Sequence, residues 1–458
     1  MAFQTIWLTD RTRYETGTGR CARKRYLSCH AGPTGYGYAP KGESVPLSTG
    51  LHVHHAADGL CTIMQDQDRE PTVAEVRSVV KTIRSQYDAT LKAKGFLGGL
   101  YDSAITDETI KEQSVLIGGL VWVLALRFLP WLHTTYRVLE VEQERLHFLD
   151  CTCGAPALDA EEHDRRGCEG HALMLRTDIL AQHRQSQNLA YFEIKTTGWD
   201  SDAWAEQWET KPQLGLGTLD LDKRYGREVT EIFIVALSKG ARKKDKTIVE
   251  GDPLAGMRRQ SSPLVYGYCR PGNPPLAKDD WLPQYEWIND AGETKRASRA
   301  HRKRGIWELR QSDWAVWQAY HQSDPELAAE EFWVRQLPSS VLEKICYVLG
   351  PLNRQDAQIQ SLRRSMLAEE HRWQTSLWRL HELGFLPTVL DEFFPQSWNC
   401  RPFGKEHQCE FHGICFGNGE DPMTSGFYVP RLPHHAPERS QATSRGLLVE
   451  QATEVDDE

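Results

Sequence analysis

Several features that would assign this protein to a class at once are missing from its 458 residues. Positive charge is not in excess, because 54 lysines and arginines face 63 aspartates and glutamates and leave a formal net charge of −9. A surface coated with basic residues is therefore excluded, and any nucleic-acid surface must be local. No G-x-x-x-x-G-K-[ST] segment occurs either, so any unwinding of nucleic acid must come from a partner.

Signals for export and for membrane insertion are also lacking. The first twenty residues are polar and contain no apolar core of the signal-peptide type. The most apolar stretch, Val115–Leu132, is interrupted by Arg127 and Pro130, which favours a buried core helix over a membrane span. The 11 cysteines are an odd number in a chain without an export signal, which argues against a disulfide framework. We expect a cytoplasmic protein that does not enter a membrane.

What the sequence does contain is a charged β-hairpin. Apolar runs over residues 173–180 and 189–197 have the composition of strands and flank the polar turn QHRQSQN. Asp178 belongs to the first strand, and Glu193 and Lys195 lie two residues apart on the second, so both leave the same face of the sheet. Two carboxylates can hold a hard divalent cation, and the lysine can position or deprotonate the attacking water. A solvated strand face with ordinary charges is the competing interpretation.

Upstream of the hairpin, the pattern predicts two helices and a strand. The helices cover residues 72–94, with Thr72 as N-cap, and residues 108–130. The strand covers Tyr136–Phe148 and carries Glu142. Glu142 could add a carboxylate to the site, although we interpret it as a surface residue.

The segment between this strand and the hairpin contains a possible metal-binding pattern. Cys151 and Cys153 form a C-x-C pair, and after fourteen further residues Cys168 and His171 form a C-x-x-H pair. A knuckle that closes over a structural zinc ion would use this spacing. Incidental cysteines are the alternative.

Downstream of the hairpin, the composition changes. Residues 239–304 concentrate positive charge among glycines, prolines and aromatic side chains. Such a mixture suits a single-stranded nucleic-acid track that combines phosphate contacts with base stacking, and a solvated surface loop is the alternative. Residues 313–394 have a helical pattern to which we assign no chemistry.

Near the C-terminus, three cysteines crowd into a loop rich in glycine, proline and aromatic residues. They are Cys400, Cys409 and Cys415. Three thiolates are one short of a four-ligand site, so the fourth ligand must come from elsewhere in the chain. The segment from His434 to the end is polar with an acidic terminus, and we predict that it is disordered.

Taken in chain order, six motifs resemble the RecB-like branch of the PD-(D/E)xK nucleases, in particular its iron–sulfur members. Those members include the AddB nuclease domain, the CRISPR-associated adaptation nucleases and a group of phage-encoded proteins. The resemblance covers residues 18–433, with Ala22, Leu175 and Gly217 where the family has proline, glycine and tyrosine. The matching segments are CARKRYL from Cys21 to Leu27, G-x-x-x-H from Gly50 to His54, LRTD from Leu175 to Asp178, E-x-K from Glu193 to Lys195, a helix with Gln213, and the three C-terminal cysteines.

The resemblance implies an α/β fold with a PD-(D/E)xK nuclease core, which is a small mixed β-sheet flanked by helices. Large helical and basic insertions would interrupt the core, and a [4Fe–4S] cluster would staple the C-terminus to the N-terminal segment. The enzyme would be a Mg²⁺- or Mn²⁺-dependent deoxyribonuclease. The residues implied are Asp178, Glu193 and Lys195 for catalysis, His54, Asp178, Glu193 and the main-chain carbonyl of Ile194 for the metal, Cys21, Cys400, Cys409 and Cys415 for the cluster, and Gln213 for DNA.

As a function, we expect a RecB-like exonuclease that acts on DNA ends or single strands in phage or bacterial DNA recombination, repair or processing. Its partner would be a helicase or a recombinase, in the cytoplasm of a bacterium or of a phage-infected host cell. The alternatives are an endonuclease on the same core and a non-catalytic DNA-binding or scaffold protein. The expected divisions are an N-terminal segment (1–60), a helical part (61–133), the nuclease core (134–238) with a cysteine-rich knuckle (150–171), a basic and aromatic insertion (239–310), a helical region (311–395), the iron–sulfur loop (396–433) and a disordered tail (434–458).

Overall fold

The protein is a mixed α/β structure, as expected from the sequence, with helices packed around one central sheet. The computed structural model describes residues 6–19, 21–41, 44–93, 107–151, 163, 166, 170–198, 202–209, 211–219, 221–240, 242–244, 258–260, 262, 264, 286–288, 294–296, 322, 324, 328–352, 356–384, 387–397, 409–416, 422–433, 435 and 438. The strands are β1 (Ile6–Asp10), β2 (Tyr38–Pro40), β3 (Tyr136–Asp150), β4 (Gly170–His183), β5 (Leu189–Thr197), β6 (Val229–Ser238), β7 (Arg242–Lys244), β8 (Arg258–Gln260), β9 (Glu286–Ile288), β10 (Thr294–Arg296), β11 (Cys346–Leu349) and β12 (Tyr428–Pro430). The helices are α1 (Arg11–Gly19), α2 (Ala22–Cys29), α3 (Val45–Gln67), α4 (Val73–Ala93), α5 (Asp107–Thr135), α6 (Asp202–Glu206), α7 (Pro212–Gly217), α8 (Leu221–Tyr225), α9 (Ala329–Gln336), α10 (Ser339–Ile345), α11 (Asp356–Leu383), α12 (Pro387–Phe393) and α13 (His412–Phe416).

Six strands form the central sheet, in which β1, β4, β5, β6 and β11 follow one another and β3 pairs with β4 outside that order. β3 occupies one edge of β4 along almost its whole length. The other edge is shared, because β1 pairs in parallel with residues 170–174 and β5 pairs antiparallel with residues 179–182. Residues 175–178 lie between these two partners. We call this stretch the fork of the sheet.

β5 and β6 form the buried centre of the sheet. They pair in parallel, so the chain must cross over between them, and α6, α7 and α8 lie in that connection. Most side chains of both strands are buried, as expected for strands covered on both faces.

The main hydrophobic core lies between the sheet and helices α3, α4, α5 and α9. α5 is apolar on nearly all sides because it packs against neighbours all round, with Trp122 and Phe128 among its buried side chains. By length and composition this helix could cross a membrane, but 72% of its apolar window is buried inside the protein. The structure thus agrees with the predicted core helix.

Several predicted elements differ from the structure at their ends. Thr72 caps α4 as predicted, since its hydroxyl accepts the Glu75 amide at 3.3 Å and its own amide donates to the Glu75 carboxylate at 2.7 Å. α3 begins at Val45, with a proline in its first turn, so the G-x-x-x-H segment lies inside this helix. The expected division at residue 60 falls inside α3. The sheet also takes β1 and β11 from segments outside the expected core.

The N- and C-terminal parts of the described chain pack against each other. β12 pairs antiparallel with β2, and the rings of Tyr26 and Phe394 stack with their centroids 4.9 Å apart. Arg25 and Glu370 form an ion pair of 2.6 Å in which both side chains are completely buried. The two ends of the chain therefore form one packed unit around α11.

The predicted disordered tail is wrong at its start. Glu438 is buried and accepts two hydrogen bonds from the Arg13 guanidinium, at 2.6 and 2.8 Å. His435 is also buried, with Nε2 2.9 Å from Asp10 Oδ2. Composition failed here because these polar residues find partners 425 positions away in sequence.

Candidate metal centre

The predicted charged hairpin consists of β4 and β5, and it places Asp178 in the fork of the sheet. Main-chain pairing between the two strands stops at Ile179 and Phe192. Beyond that point the Asp178 side chain replaces a main-chain acceptor, because its Oδ2 accepts a hydrogen bond from the Ile194 amide at 2.8 Å. The carboxylate is 7% exposed and is held between the strands, with one oxygen oriented by the main chain.

α3 approaches the hairpin closely because Gly50 has no side chain at the contact. A Cβ atom at this position would lie 2.8 Å from Thr196 Oγ1, which is closer than real Cβ contacts. One turn further along α3, His54 Nδ1 lies 3.7 Å from Asp178 Oδ2. The glycine of the G-x-x-x-H segment thus has a packing reason, and the histidine lies at the predicted site.

The two histidines beside His54 have different surroundings. His52 is buried edge-on against Tyr87, and its Nδ1 lies 2.8 Å from the Ser48 carbonyl oxygen. His55 is exposed. Burial lowers the pKa of His54 to about 4, so its imidazole is neutral at pH 7 and offers a lone pair to a metal ion.

Glu142 forms a group of possible metal ligands with His54 and Asp178. One ligand atom from each of the three side chains lies within 4.8 Å of the others. The register of β3 and β4 puts Glu142 beside Asp178. Its φ of +50° is uncommon for a residue other than glycine and costs on the order of 1 kcal/mol. Glu142 is therefore not the surface residue that we expected, and its strained backbone lies at the candidate site.

Glu193 and Lys195 lie next to this group and contact each other. They share one face of β5, and Lys195 Nζ donates to Glu193 Oε1. The other carboxylate oxygen accepts a hydrogen bond from the Tyr191 hydroxyl. Burial, and then the charge of Asp178, raise the pKa of Glu193, which is 1% exposed. Within the described residues, Glu193 is not one of the three converging ligands, and Ile194 contributes its amide to the site.

The carboxylates around the fork repel one another. Burial first, and then Asp178, raise the pKa of Glu142. The same two causes raise the pKa of Asp58, four residues after His54 on α3, to about 7. Arg176 opposes this charge, with Nε 2.6 Å from Glu142 Oε2. A divalent cation would lower these raised pKa values by stabilising the ionised carboxylates, so the site is suited to such an ion.

Sequence reasoning missed Asp58, although a signal was present. Gly50, His54 and Asp58 follow one another at intervals of four residues, which places them along one side of a helix. Glu142 is marked as a site residue by its positive φ, and this backbone conformation could not be predicted from a glutamate in the sequence.

The helix expected to carry Gln213 is divided into the short elements α6 and α7. Gln213 is the second residue of α7, and its side chain lies outside the described residues. A Cβ atom at Gly217, where the family has tyrosine, would lie 2.9 Å from the Tyr191 hydroxyl. This glycine therefore leaves room for the hydroxyl that donates to Glu193.

The predicted zinc residues do not form one group within the described part of the chain. Cys153 and Cys168 lie outside the described residues. Cys151 Sγ lies 3.3 Å from His163 Nδ1. His171 lies instead beside Asp150, with 3.3 Å between Nδ1 and Oδ1.

Three of the four predicted cluster cysteines lie in the described residues, and Cys400 lies outside them. Cys21 directly precedes α2, in which Lys24 forms an ion pair of 2.6 Å with Glu410. Glu410 is the neighbour of Cys409, which packs with Cys415 against the aromatic cluster that also contacts α2. The side chains of all three cysteines are partly buried.

Comparison with known proteins does not assign a function to this chain. No protein-family model matches the chain, and no curated protein matches it. The function is therefore inferred from the residues of the site themselves.

Proposed function

We propose that this protein is a metal-dependent deoxyribonuclease of the RecB-like PD-(D/E)xK type. The observation that carries the proposal is the convergence of His54, Glu142 and Asp178, whose ligand atoms lie within 4.8 Å of one another. Lys195 is close enough to His54 for its charge to lower the pKa of His54, after the larger effect of burial. Lys195 is itself held by a hydrogen bond to Glu193. An imidazole and carboxylates around one point, with a lysine next to them, suit metal-assisted hydrolysis of a phosphodiester.

Each residue has a role in this proposal. His54, Glu142 and Asp178 would hold Mg²⁺ or Mn²⁺, which supplies a Lewis acid for the phosphate and an activated water. The Ile194 amide orients Asp178. Lys195 positions the attacking water and stabilises the negative charge that develops on the phosphate.

The donor set also bears on the choice of metal. Carboxylate oxygens suit both Mg²⁺ and Mn²⁺, whereas an imidazole nitrogen is a better ligand for transition metals. With His54 in the group, we expect Mn²⁺ to bind more tightly than Mg²⁺.

Basic residues near the sheet support DNA as the substrate. β7 and β8 pair RKK with RRQ, which puts five cationic residues on two short strands. β7 begins four residues after Ser238, the last residue of β6, and Ser238 pairs with Thr197 at the end of β5. Contacts from this pair to phosphates would guide a DNA end or a single strand towards Lys195. A helicase or recombinase partner and action in a bacterial or phage-infected cytoplasm belong to the same proposal.

The proposal includes a [4Fe–4S] cluster held by Cys21, Cys400, Cys409 and Cys415. When purified without oxygen, the protein should be brown and contain about four irons per chain. Cys21→Ser should lose iron and unfold at a lower temperature, because the cluster forms only when both ends are docked. Cys29→Ser is the control and should keep its iron. Colourless, iron-free parent protein would exclude the cluster without affecting the metal centre.

Degradation of end-labelled DNA tests the nuclease activity. Linear single and double strands, labelled at the 5′ or the 3′ end, and circular DNA are incubated with Mg²⁺, with Mn²⁺ or with EDTA. We expect degradation of linear DNA from an end, with either metal and not with EDTA. Cleavage of closed circles would indicate an endonuclease. DNA binding without cleavage in either metal would indicate a non-catalytic protein.

A pair of acidic residues on β3 provides a matched control for this assay. Glu142→Gln should lower cleavage strongly, because it removes a charged ligand. Glu144→Gln, at an exposed position two residues away, should leave cleavage unchanged. Equal activity of the two variants would remove Glu142 from the site.

A further inference from the structure

We infer that Asp150, His171 and His371 form a zinc site where β3, β4 and α11 meet. One ligand atom from each side chain lies within 4.8 Å of the others. The three residues come from three different elements, so a bound ion would join α11 to the sheet. The inference does not rest on the proposed nuclease function, which uses none of these residues.

The separations between the ligand atoms fit a tetrahedral ion. His171 Nδ1 lies 3.3 Å from Asp150 Oδ1, and His371 Nε2 lies 3.3 Å from Asp150 Oδ2. Zn²⁺ binds histidine nitrogen and carboxylate oxygen at about 2.0–2.1 Å, so two of its tetrahedral ligands lie about 3.4 Å apart. Both measured separations are close to this value, and one ligand nitrogen of each histidine lies within 4.8 Å of the other.

His171 gives an independent reason to expect a ligand. Its side chain is buried, with 4% exposure, and its Nε2 atom has no hydrogen-bond partner among the described residues. Its Nδ1 atom faces Asp150 Oδ1, which also accepts the His171 main-chain amide at 2.7 Å. Buried polar atoms without partners are uncommon in folded proteins, and an ion is one way to satisfy them.

Contacts of Trp7 join β4 to α11 beside the two histidines. Trp7 of β1 pairs with His171 in the sheet. The indole nitrogen of the same tryptophan donates to Glu370, the residue before His371, at 2.9 Å. Trp7 therefore connects β4 at His171 with α11 next to His371.

The types of ligand identify the class of ion. Two imidazoles and one carboxylate favour Zn²⁺ over Mg²⁺ or Ca²⁺, which prefer oxygen ligands. His371 is 52% exposed, so solvent can supply a fourth ligand. His171 was assigned by spacing to the set with Cys151, Cys153 and Cys168, and the two sets compete for it.

Zinc analysis of the purified full-length protein tests the inference. We expect about one zinc per chain in the parent, as for a single structural site. His371→Ala, at a half-exposed position, should fold and lose the zinc. His381→Ala, at an exposed position on the same helix, should keep it. A zinc chelator should lower the melting temperature of the parent and of His381→Ala, and should not change that of His371→Ala.

A cysteine variant separates the two ligand sets. Cys153→Ser combined with Cys168→Ser should retain zinc if Asp150, His171 and His371 bind it. Zinc that is lost from this variant and kept in His371→Ala would overturn the inference. A zinc-free parent that binds no added Zn²⁺ would also overturn it. Substitution with Co²⁺ should give no thiolate-to-cobalt charge-transfer band, and such a band would contradict the site.

Discussion

Two groups of histidine and carboxylate each combine one residue of β3, one residue of β4 and a histidine from a helix, and they differ in composition. The group at the fork consists of His54, Glu142 and Asp178, and the group at the strand ends consists of Asp150, His171 and His371. Asp178 and His171 are seven residues apart on β4, which corresponds to roughly 23 Å along a strand. The first group is acidic and suits a hard cation, whereas the second contains two imidazoles and suits zinc.

Each group contains a feature that is unfavourable without an ion. At the fork these are the positive φ of Glu142 and the raised pKa of its neighbours. At the strand ends it is the buried Nε2 atom of His171, which has no hydrogen-bond partner among the described residues. Local features that disagree with the rest of a stable fold mark functional sites, because only a function explains why they persist. The two groups can therefore be tested separately by removing the ligands of one and measuring the other.

The largest expected effect is the loss of cleavage in Lys195→Ala and in Glu193→Gln. In the proposed mechanism Lys195 acts on the reacting phosphate and Glu193 holds Lys195. Turnover should therefore fall by about 10²–10⁴ while DNA binding changes little. Steady-state cleavage and a DNA-binding titration measure this difference. Lys81→Ala, at an exposed position of α4, is the control. Near-normal cleavage by these variants with Mg²⁺ would show that neither residue belongs to the active site. Their zinc content should equal that of the parent, because the zinc ligands are unchanged.

The next effect is on metal affinity at the fork. His54→Ala should weaken Mn²⁺ binding at least about 10-fold and reduce the preference for Mn²⁺ over Mg²⁺, because the imidazole is the ligand that favours transition metals. Calorimetric titration with each metal alone measures the change. His55→Ala, the exposed neighbour, should bind as the parent does. Unchanged Mn²⁺ affinity in His54→Ala would exclude it as a ligand.

A pH series tests the acidic character of the fork. Burial and the charge of Asp178 raise the pKa of Asp58 in the folded state to about 7, above the usual 3.8 of an aspartate, so the folded state keeps a proton that the unfolded state releases. The stability present below pH 4 is therefore lost as the pH rises from about 4 to about 7. Asp58→Asn should remove this loss, which is on the order of 2 kcal/mol of unfolding free energy after solvent screening.

Urea unfolding at pH 5 and pH 8 in EDTA measures this dependence. Asp66→Asn, an exposed residue of the same helix, should keep the pH dependence of the parent. Added Mn²⁺ should reduce the dependence in the parent, because the cation stabilises the ionised carboxylates. Parallel curves for Asp58→Asn and the parent would show that Asp58 does not carry a raised pKa.

The smallest effect concerns the packing of α3 on the hairpin. Gly50→Ala forces a Cβ atom to 2.8 Å from Thr196 Oγ1 and should cost about 1 kcal/mol of unfolding free energy. At Gly59 the nearest atom to an added Cβ is 3.8 Å away, so Gly59→Ala should instead stabilise by roughly 0.5–1 kcal/mol through helix propensity. Adding Thr196→Ala to Gly50→Ala should restore the unfolding free energy, because it removes the atom that the new Cβ contacts. If both alanines stabilise equally, α3 does not pack tightly at Gly50.

Local patterns determined much of this structure from the sequence alone. The apolar runs around QHRQSQN predicted β4 and β5, and the spacing of Glu193 and Lys195 predicted their common face. The buried helix α5 and the capping residue Thr72 were also predicted from the sequence. Strand alternation, helix periodicity and capping depend on residues close together in the chain.

Only the tertiary structure decided how distant segments meet. The fork exists because β1 and β5 share one edge of β4, and the positive φ of Glu142 appears where β3 passes Asp178. The meeting of His171 with His371, and of Arg13 with Glu438, joins residues 200 and 425 positions apart. No local pattern encodes such pairs, because they are selected by the packing of helices on the sheet and by the need to satisfy buried polar groups.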